Sequence, residues 1–389
     1  MNASAAARRF LAIRLAFWIG TAATLLWSPI PVAANIPPFH AWFGVGDWLF
    51  DTFAQWDSGW FLGIAEHGYT SKQVTAFFPL YPLLVRAVAE VVRSYIAASV
   101  LVSLAAGAIA AIVLDRLARP LLGQAGAADT VLFLALYPLA FVFTAAYSDG
   151  LFLALAAGSF LAATQRRPLL AGVLGGLACS TRLIGLALLP ALILLLWPRR
   201  RRELFALVPL VLLPAAIGAY ALYLDHRFGD AWAFLHSQNV YWNRHVHPAG
   251  PLSGLWLAMK AGYQGASELA QHLPRAPAVL EHKDQWASWN VIQLLLLIAA
   301  SWLTWIAWRR LGAAYGLFSV ATLLIALGSP ADLVPLVSLP RFLLGDFPLF
   351  LALAALCADR PRLRRELLVA FAAAGAAAAI GFAHHVWIA

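Results

Sequence analysis

The sequence predicts an all-α polytopic membrane protein with about eleven transmembrane helices and helical extracytoplasmic loops. Two observations predict it. Of 389 residues 62% are hydrophobic and only 12% charged, far more apolar side chain than one or two water-soluble domains could cover with polar surface. Apolar stretches of membrane length also recur along the whole chain, separated by short arginine-bearing loops. The chain is read as one domain, 1–389, with a first outer loop at 31–94 and a long outer segment at 225–289.

Taken in order, the expected spans are 10–30, 95–114, 129–146, 150–164, 168–181, 184–197, 204–224, 290–308, 312–327, 342–357 and 367–387. With this assignment the clusters Arg8/Arg9/Arg14, Arg116/Arg119, Arg166/Arg167, Arg199 to Arg202, Arg309/Arg310 and Arg360/Arg362/Arg364/Arg365 fall on one side. They hold 17 of the 27 basic residues against 5 acids, a balance of +12, and the rest of the chain carries 10 basic and 13 acidic residues, −3. The positive-inside rule makes the first side cytoplasmic. That alternation requires 76–93, with Arg86, Glu90 and Arg93, to be an interfacial or re-entrant helix under the first outer loop. Runs 168–181 and 184–197 each give about 21 Å of helix against a hydrocarbon core of about 30 Å, so they are short tilted spans or one re-entrant hairpin. The first run, with small residues Val32, Ala33 and Ala34 after it, is read as an uncleaved span because it is longer than a signal-peptide core.

The charge of +9 sits in loops between apolar runs and acts as an orientation signal, which argues against a nucleic-acid partner. Cys179 and Cys357 lie in apolar runs and read as small buried hydrophobes. No internal repeat, Gly-rich phosphate loop, CxxC pair or HExxH motif occurs.

Polar residues that do not serve topology gather on the predicted outer side: Asp47, Asp51, Asp57, Glu66 and His67, then Tyr147, Ser148 and Asp149, then Arg182. The outer segment adds Asp225, Asp230, His236, Arg244, His245 and His247, and Arg341 follows. So many ionisable groups at one face point to a water-filled extracytoplasmic cavity. In QWDSGWFLGIAEHGYT, residues 55–70, Trp56, Trp60, Ile64 and His67 fall at helical spacing, Asp57 lies beside that stripe, and Gly68 is placed to stop the helix. Asp57 is either an N-terminal helix cap or a general base in a half-dry crevice. Tryptophan faces suit the apolar side of a sugar ring, and His67, Tyr69 and Tyr81 in the same region join Trp56 and Trp60 as substrate-binding candidates. Arg182 reads as a clamp for a lipid phosphate or as the partner of a nearby acid such as Asp149; Arg341 takes the same two readings. His245 and His247 alternate like a metal pair, but no third ligand has suitable spacing, so this loop reads as solvated or substrate-touching.

WDSGWFLGIAEHGY, TAFFPLYPLLVR, AYSDGLFLALAAGSF, STRLIGLAL and SLPRFLLGDFPLF resemble, in order, the motifs of the PIG-V-like mannosyltransferases, the GPI mannosyltransferase 2 family, which has bacterial relatives. The resemblance implies a GT-C type glycosyltransferase that takes mannose from polyprenyl-phosphate-mannose and works on the outer or luminal face. It maps the family's essential acid onto Asp57, after Trp56, and its YSE turn onto Tyr147, Ser148 and Asp149, with a shorter acid at the last position. The expected reaction is inverting transfer to a lipid or glycan acceptor, with Asp57 as base and Arg182 and Arg341 at the departing lipid phosphate. A divalent cation between Asp57 and the phosphate stays open, though no ligand cluster demands one. The alternatives are a transporter or flippase of a lipid-linked sugar and a noncatalytic subunit of an envelope assembly complex. Composition rich in alanine, leucine and arginine suggests a bacterial plasma membrane.

Overall fold

A computed structural model describes residues 3–24, 50–198, 201–271, 282–384 and 386. Val32 to Ala34, Asp47, Arg199, Arg200 and His385 lie outside them. Among the described residues the chain is helical, with one isolated antiparallel bridge between Arg244 and Ala331.

The helices are α1 (Ala3–Thr24), α2 (Asp57–His67), α3 (Leu80–Val92), α4 (Tyr95–Leu136), α5 (Asp149–Thr164), α6 (Pro168–Cys179), α7 (Leu188–Leu196) and α8 (Leu212–Phe228). They continue with α9 (Ala233–Trp242), α10 (Pro251–Gln271), α11 (His282–Ile306), α12 (Ala313–Leu327), α13 (Leu339–Gly345), α14 (Phe347–Cys357) and α15 (Pro361–Ala383). Among the described residues four helical stretches are long and apolar enough to cross a membrane: Tyr95–Leu136, Leu204–Phe228, Trp286–Leu311 and Pro361–Ala383. The pair α13 and α14, bent by 76°, makes a fifth if taken as one span. Asp149–Thr164, Pro168–Cys179, Leu183–Leu196 and Ala313–Leu327 are shorter apolar helices. The chain is thus an integral membrane protein of mixed long and short helices, in which at most five full-length crossings are described against the eleven expected runs.

Several departures from the expected pattern have identifiable causes. Runs 95–114 and 129–146 are joined by α4, which continues across a break at Gly123, where φ is 68° and the chain kinks. Run 129–146 stays helical only to Leu136, because Pro138 forces Tyr137 out of the helical region (φ −49°, ψ 139°). From Phe141 to Gly150 every residue is buried, and short turns satisfy the backbone: the Thr144 amide donates to the Phe141 carbonyl at 2.8 Å and the Tyr147 amide to the Ala145 carbonyl at 2.8 Å. Irregular backbone is tolerated at such depth only inside protein. Arg14, expected among the solvated orientation charges, is 2% exposed within α1, with its guanidinium 4.6 Å over the Phe17 ring. Residues 80–92 form the 13-residue helix α3, with Leu83 and Val91 exposed on one face and Tyr81 and Val85 buried on the other.

Helix α4 is the centre of the bundle, packed against α1, α3, α5, α14 and α15. Its Asp129 carboxylate accepts two hydrogen bonds from Arg364, at 2.6 and 2.7 Å, tying it to α15. The basic loops at 166–167 and 360–365 lie at the far ends of α5 and α14, whose near ends carry Asp149 and adjoin Arg341.

Candidate active site

Four charged side chains meet where helices begin or end. Asp57 is the first residue of α2 and Asp149 the first of α5, where the partial positive charge of a helix N-terminus favours a carboxylate. Arg182 follows the last turn of α6, its amide donating to the Ala178 carbonyl at 3.1 Å. Arg341 stands in the first turn of α13, started by Pro340. Before α2, Trp56 adopts φ 56° and ψ −119°, a strained conformation for a side-chain-bearing residue. This turn directs Asp57 away from a capping role, and no side chain caps α2. Gly68 ends the helix at φ 72°, its amide reaching the Ile64 carbonyl at 2.9 Å.

Arg341 joins the two acids. Its Nη1 donates to Asp57 Oδ2 at 2.5 Å and its Nη2 to Asp149 Oδ2 at 2.9 Å. Arg182 Nη1 donates to Asp149 Oδ1, so Asp149 is held from both oxygens. The Tyr147 ring lies 4.6 Å from the Arg341 guanidinium carbon and shields it from below. Asp149 is 2% exposed and Asp57 25%, so the relay runs from a dry end to a wet one.

The wet end opens on a cavity of about 640 Å³. Asp57, Ser148, Thr181, Arg182, Arg244, Ser338 and Arg341 line its polar end, and Phe61, Phe77, Phe78, Phe234, Trp242 and Phe342 form an aromatic wall. Helix α9 supplies one side, presenting Leu235, His236, Asn239 and Trp242 at helical spacing. It is pinned by Ser237, whose hydroxyl donates to the Gln73 carbonyl at 2.8 Å, and by Lys72 and His236, both paired with Asp230.

Of the substrate-binding and catalytic candidates, Asp57, Arg182 and Arg341 line this cavity. Asp149 and Tyr147 touch Arg341 from behind. The others lie elsewhere. Trp56 is 43% exposed beside the site, and Trp60 backs the aromatic wall, stacked on Phe77 at 6.2 Å and edge-on to Trp242 at 6.1 Å. His67 is exposed at the far end of α2 beside Glu66. Tyr69 is buried and donates to the Phe77 carbonyl at 2.7 Å; burial raises its phenol above the usual value. Tyr81 is fully buried, its hydroxyl 2.9 Å from Ser103 Oγ and 3.2 Å from the Ser99 carbonyl. Both tyrosines brace the loop and α3, and neither reaches the cavity.

Sequence alone sets Arg244 only among the polar residues of the outer segment, yet it lines the cavity. Its neighbours explain its placement: the Arg244–Ala331 bridge, the His245 amide donating to the Pro330 carbonyl at 3.1 Å, and His245 Nε2 lying 3.4 Å from Asp332. His245 therefore serves the clip. Among the described residues no group of three or more His, Cys, Asp or Glu comes together to hold a metal ion.

Two solved structures share the fold. The crystal structure of ArnT from Cupriavidus metallidurans bound to undecaprenyl phosphate has a TM-score of 0.52 and 16% identity, covering 93% of this chain and 62% of that one. The apo state of the same ArnT has a TM-score of 0.52 and 16% identity, covering 95% and 63%. This chain therefore spans less than two thirds of ArnT, and over that stretch it shares the fold of that protein. Residues 31–198 match the family model described as Mannosyltransferase (PIG-V), a stretch that contains Asp57, Asp149 and Arg182. No curated protein matches the sequence.

Proposed function

We propose that this chain is an inverting membrane glycosyltransferase that moves a mannosyl residue from polyprenyl-phosphate-mannose to a lipid or glycan acceptor, with Asp57 as general base. The family match supports the mannosyl group, and the undecaprenyl phosphate of the ArnT complex supports a lipid-phosphate carrier. The observation that carries the reading is Asp57, the one carboxylate among the described residues lining the cavity, set beside three arginines.

The chemistry needs no second acid. A glycosidase uses one carboxylic acid to protonate its leaving group and another carboxylate on the opposite side; a phosphate departs without being protonated. The acceptor oxygen attacks the anomeric carbon, the bond from that carbon to the phosphate oxygen breaks, and the hydroxyl proton passes to Asp57. The released lipid phosphate carries one more negative charge than the phosphodiester had, which the arginine-lined end stabilises as it develops. Asp57 Oδ2 is bound by Arg341, which leaves Oδ1 for the acceptor proton. The excess of basic residues at the ends of α5 and α14 remote from the cavity supports an extracytoplasmic site in a bacterial plasma membrane. The eleven-span topology belongs to the same reading, with the short apolar helices crossing at a tilt or in pairs.

The test is transfer of radiolabelled mannose from a short-chain polyprenyl-phosphate-mannose to membrane lipids, comparing wild type with Asp57→Asn. Label with wild type only is the expected result. Equal label with Asp57→Asn would sink the role of Asp57, and no label with either folded protein would remove this donor.

A further inference from the structure

We infer that Arg244 is the anion receptor of the cavity, a guanidinium carried on a clipped strap that takes the phosphate of a phosphodiester or phosphate monoester. The charge pattern carries the inference. Arg182 and Arg341 are engaged with Asp149 and Asp57 through three hydrogen bonds, so two cations and two anions cancel. Arg244 has no carboxylate within ion-pair distance among the described residues; its guanidinium rests 5.7 Å from the Phe342 ring, which Arg182 approaches from 5.8 Å. Among the described residues the charged end therefore holds one positive charge with no paired carboxylate, at the wall of the cavity. Burial, and the nearness of Arg341 and Arg182, lower the Arg244 guanidinium to about 10, and it stays protonated at neutral pH.

The strap gives this side chain a fixed place. Residues 243–247 leave α9 through Asn243, in the left-handed conformation at φ 50°, and are pinned to 330–332 by the bridge and by His245. An arginine so held meets two phosphate oxygens with its planar fork at little further loss of side-chain freedom. A lipid phosphate and free inorganic phosphate share this chemistry; the lipid source rests on the function proposed above.

The test measures binding of undecaprenyl phosphate, undecaprenol and inorganic phosphate to the full-length protein by quenching of tryptophan fluorescence, Trp232 and Trp242 both lining the cavity. Wild type, Arg244→Gln and Arg244→Lys are compared, with thermal unfolding to confirm that each is folded. Arg244→Gln is expected to weaken undecaprenyl phosphate roughly ten- to a hundredfold, the range for a lost hydrogen bond to a charged group, and to leave undecaprenol unchanged. Arg244→Lys should retain part of the preference for phosphate. A folded Arg244→Gln that still prefers the phosphate to the alcohol as wild type does would overturn the inference. If wild type shows no lipid preference but binds inorganic phosphate through Arg244, the receptor stands and the polyprenyl donor falls. Failure of wild type to bind either phosphate overturns the receptor itself.

Discussion

Arg341 Nη1 lies 2.5 Å from Asp57 Oδ2, joining two residues 284 positions apart in the chain. The contact orients Asp57 by fixing one carboxylate oxygen at the edge of the cavity. It also makes Arg341 the keystone of the relay, because its second Nη holds Asp149 in a place water does not reach.

Replacing Arg341 by methionine, which keeps much of the stem and removes the charge, takes one of two arginines from Asp149 and leaves it the Arg182 contact. Losing a hydrogen bond to a buried charge costs about 1.5–3 kcal/mol, so thermal unfolding in detergent should show a loss of stability together with loss of transfer. Arg341→Lys should recover little, since an ammonium lacks the planar fork that spans both carboxylates. Unchanged stability in the methionine variant would mean that Asp149 is compensated by Arg182 alone.

Tyr81→Phe should cost about 1 kcal/mol of stability and leave the turnover number and the KM for the lipid donor unchanged. Its hydroxyl serves Ser99 and Ser103, and Ser103 retains the Ala145 carbonyl at 2.7 Å when the phenol is gone. A raised KM would return Tyr81 to the substrate.

Gly254→Ala tests the base of the strap. A Cβ at Gly254 would fall 1.9 Å from the Leu327 carbonyl oxygen, so α10 must move off α12. Overpacking of this kind costs about 1–3 kcal/mol. The shift propagates to Arg244, ten residues earlier, and should weaken undecaprenyl phosphate binding without any change at the lining residues.

A pH effect is expected at the start of α9. The hydrogen bond from His236 holds the Asp230 carboxyl below its usual range against the opposing effect of burial, and the Lys72 ammonium adds to it. A depressed folded value means that the stabilisation is present above the unfolded pKa of about 3.9 and is lost as pH falls through the lower folded one. Amide exchange in the first turn of α9, corrected for intrinsic rate, should stay level from pH 7 to about pH 4 and quicken below it. Asp230→Asn should remove that step, and added salt should shrink it, because these groups are solvent-screened.

Local signals are readable in the chain without its fold. The tryptophan spacing and Gly68 delimit α2, and the charges in 76–93 set the short helix α3 apart from the longer apolar runs. Asp149, the acid that sequence offers as a partner for Arg182, is the one the structure pairs with it. Hydropathy cannot foresee that Pro138 converts half a span into buried turns, since the residues after it are as apolar as those before. Arg14 escapes for a related reason: an arginine near an N-terminus looks like an orientation signal whether or not it is covered. Arg244 stays hidden because its importance depends on the lack of a paired carboxylate among the described residues, and such a lack is visible only when distant segments are brought together.

The relay of acids and arginines also sets an order of assembly. Asp57, Asp149 and Arg182 leave the ribosome well before Arg341, which follows Arg182 by 159 residues. Until then the emerging chain holds two acids and one arginine of the relay, and Asp57 has no partner to draw α2 toward the bundle. Because synthesis proceeds from the N-terminus at about 5–20 residues per second, this interval lasts on the order of ten seconds or more. A nascent chain stalled before residue 341 should therefore be inserted but open, with Asp57 still facing water, and the arrival of Arg341 is the event that closes it.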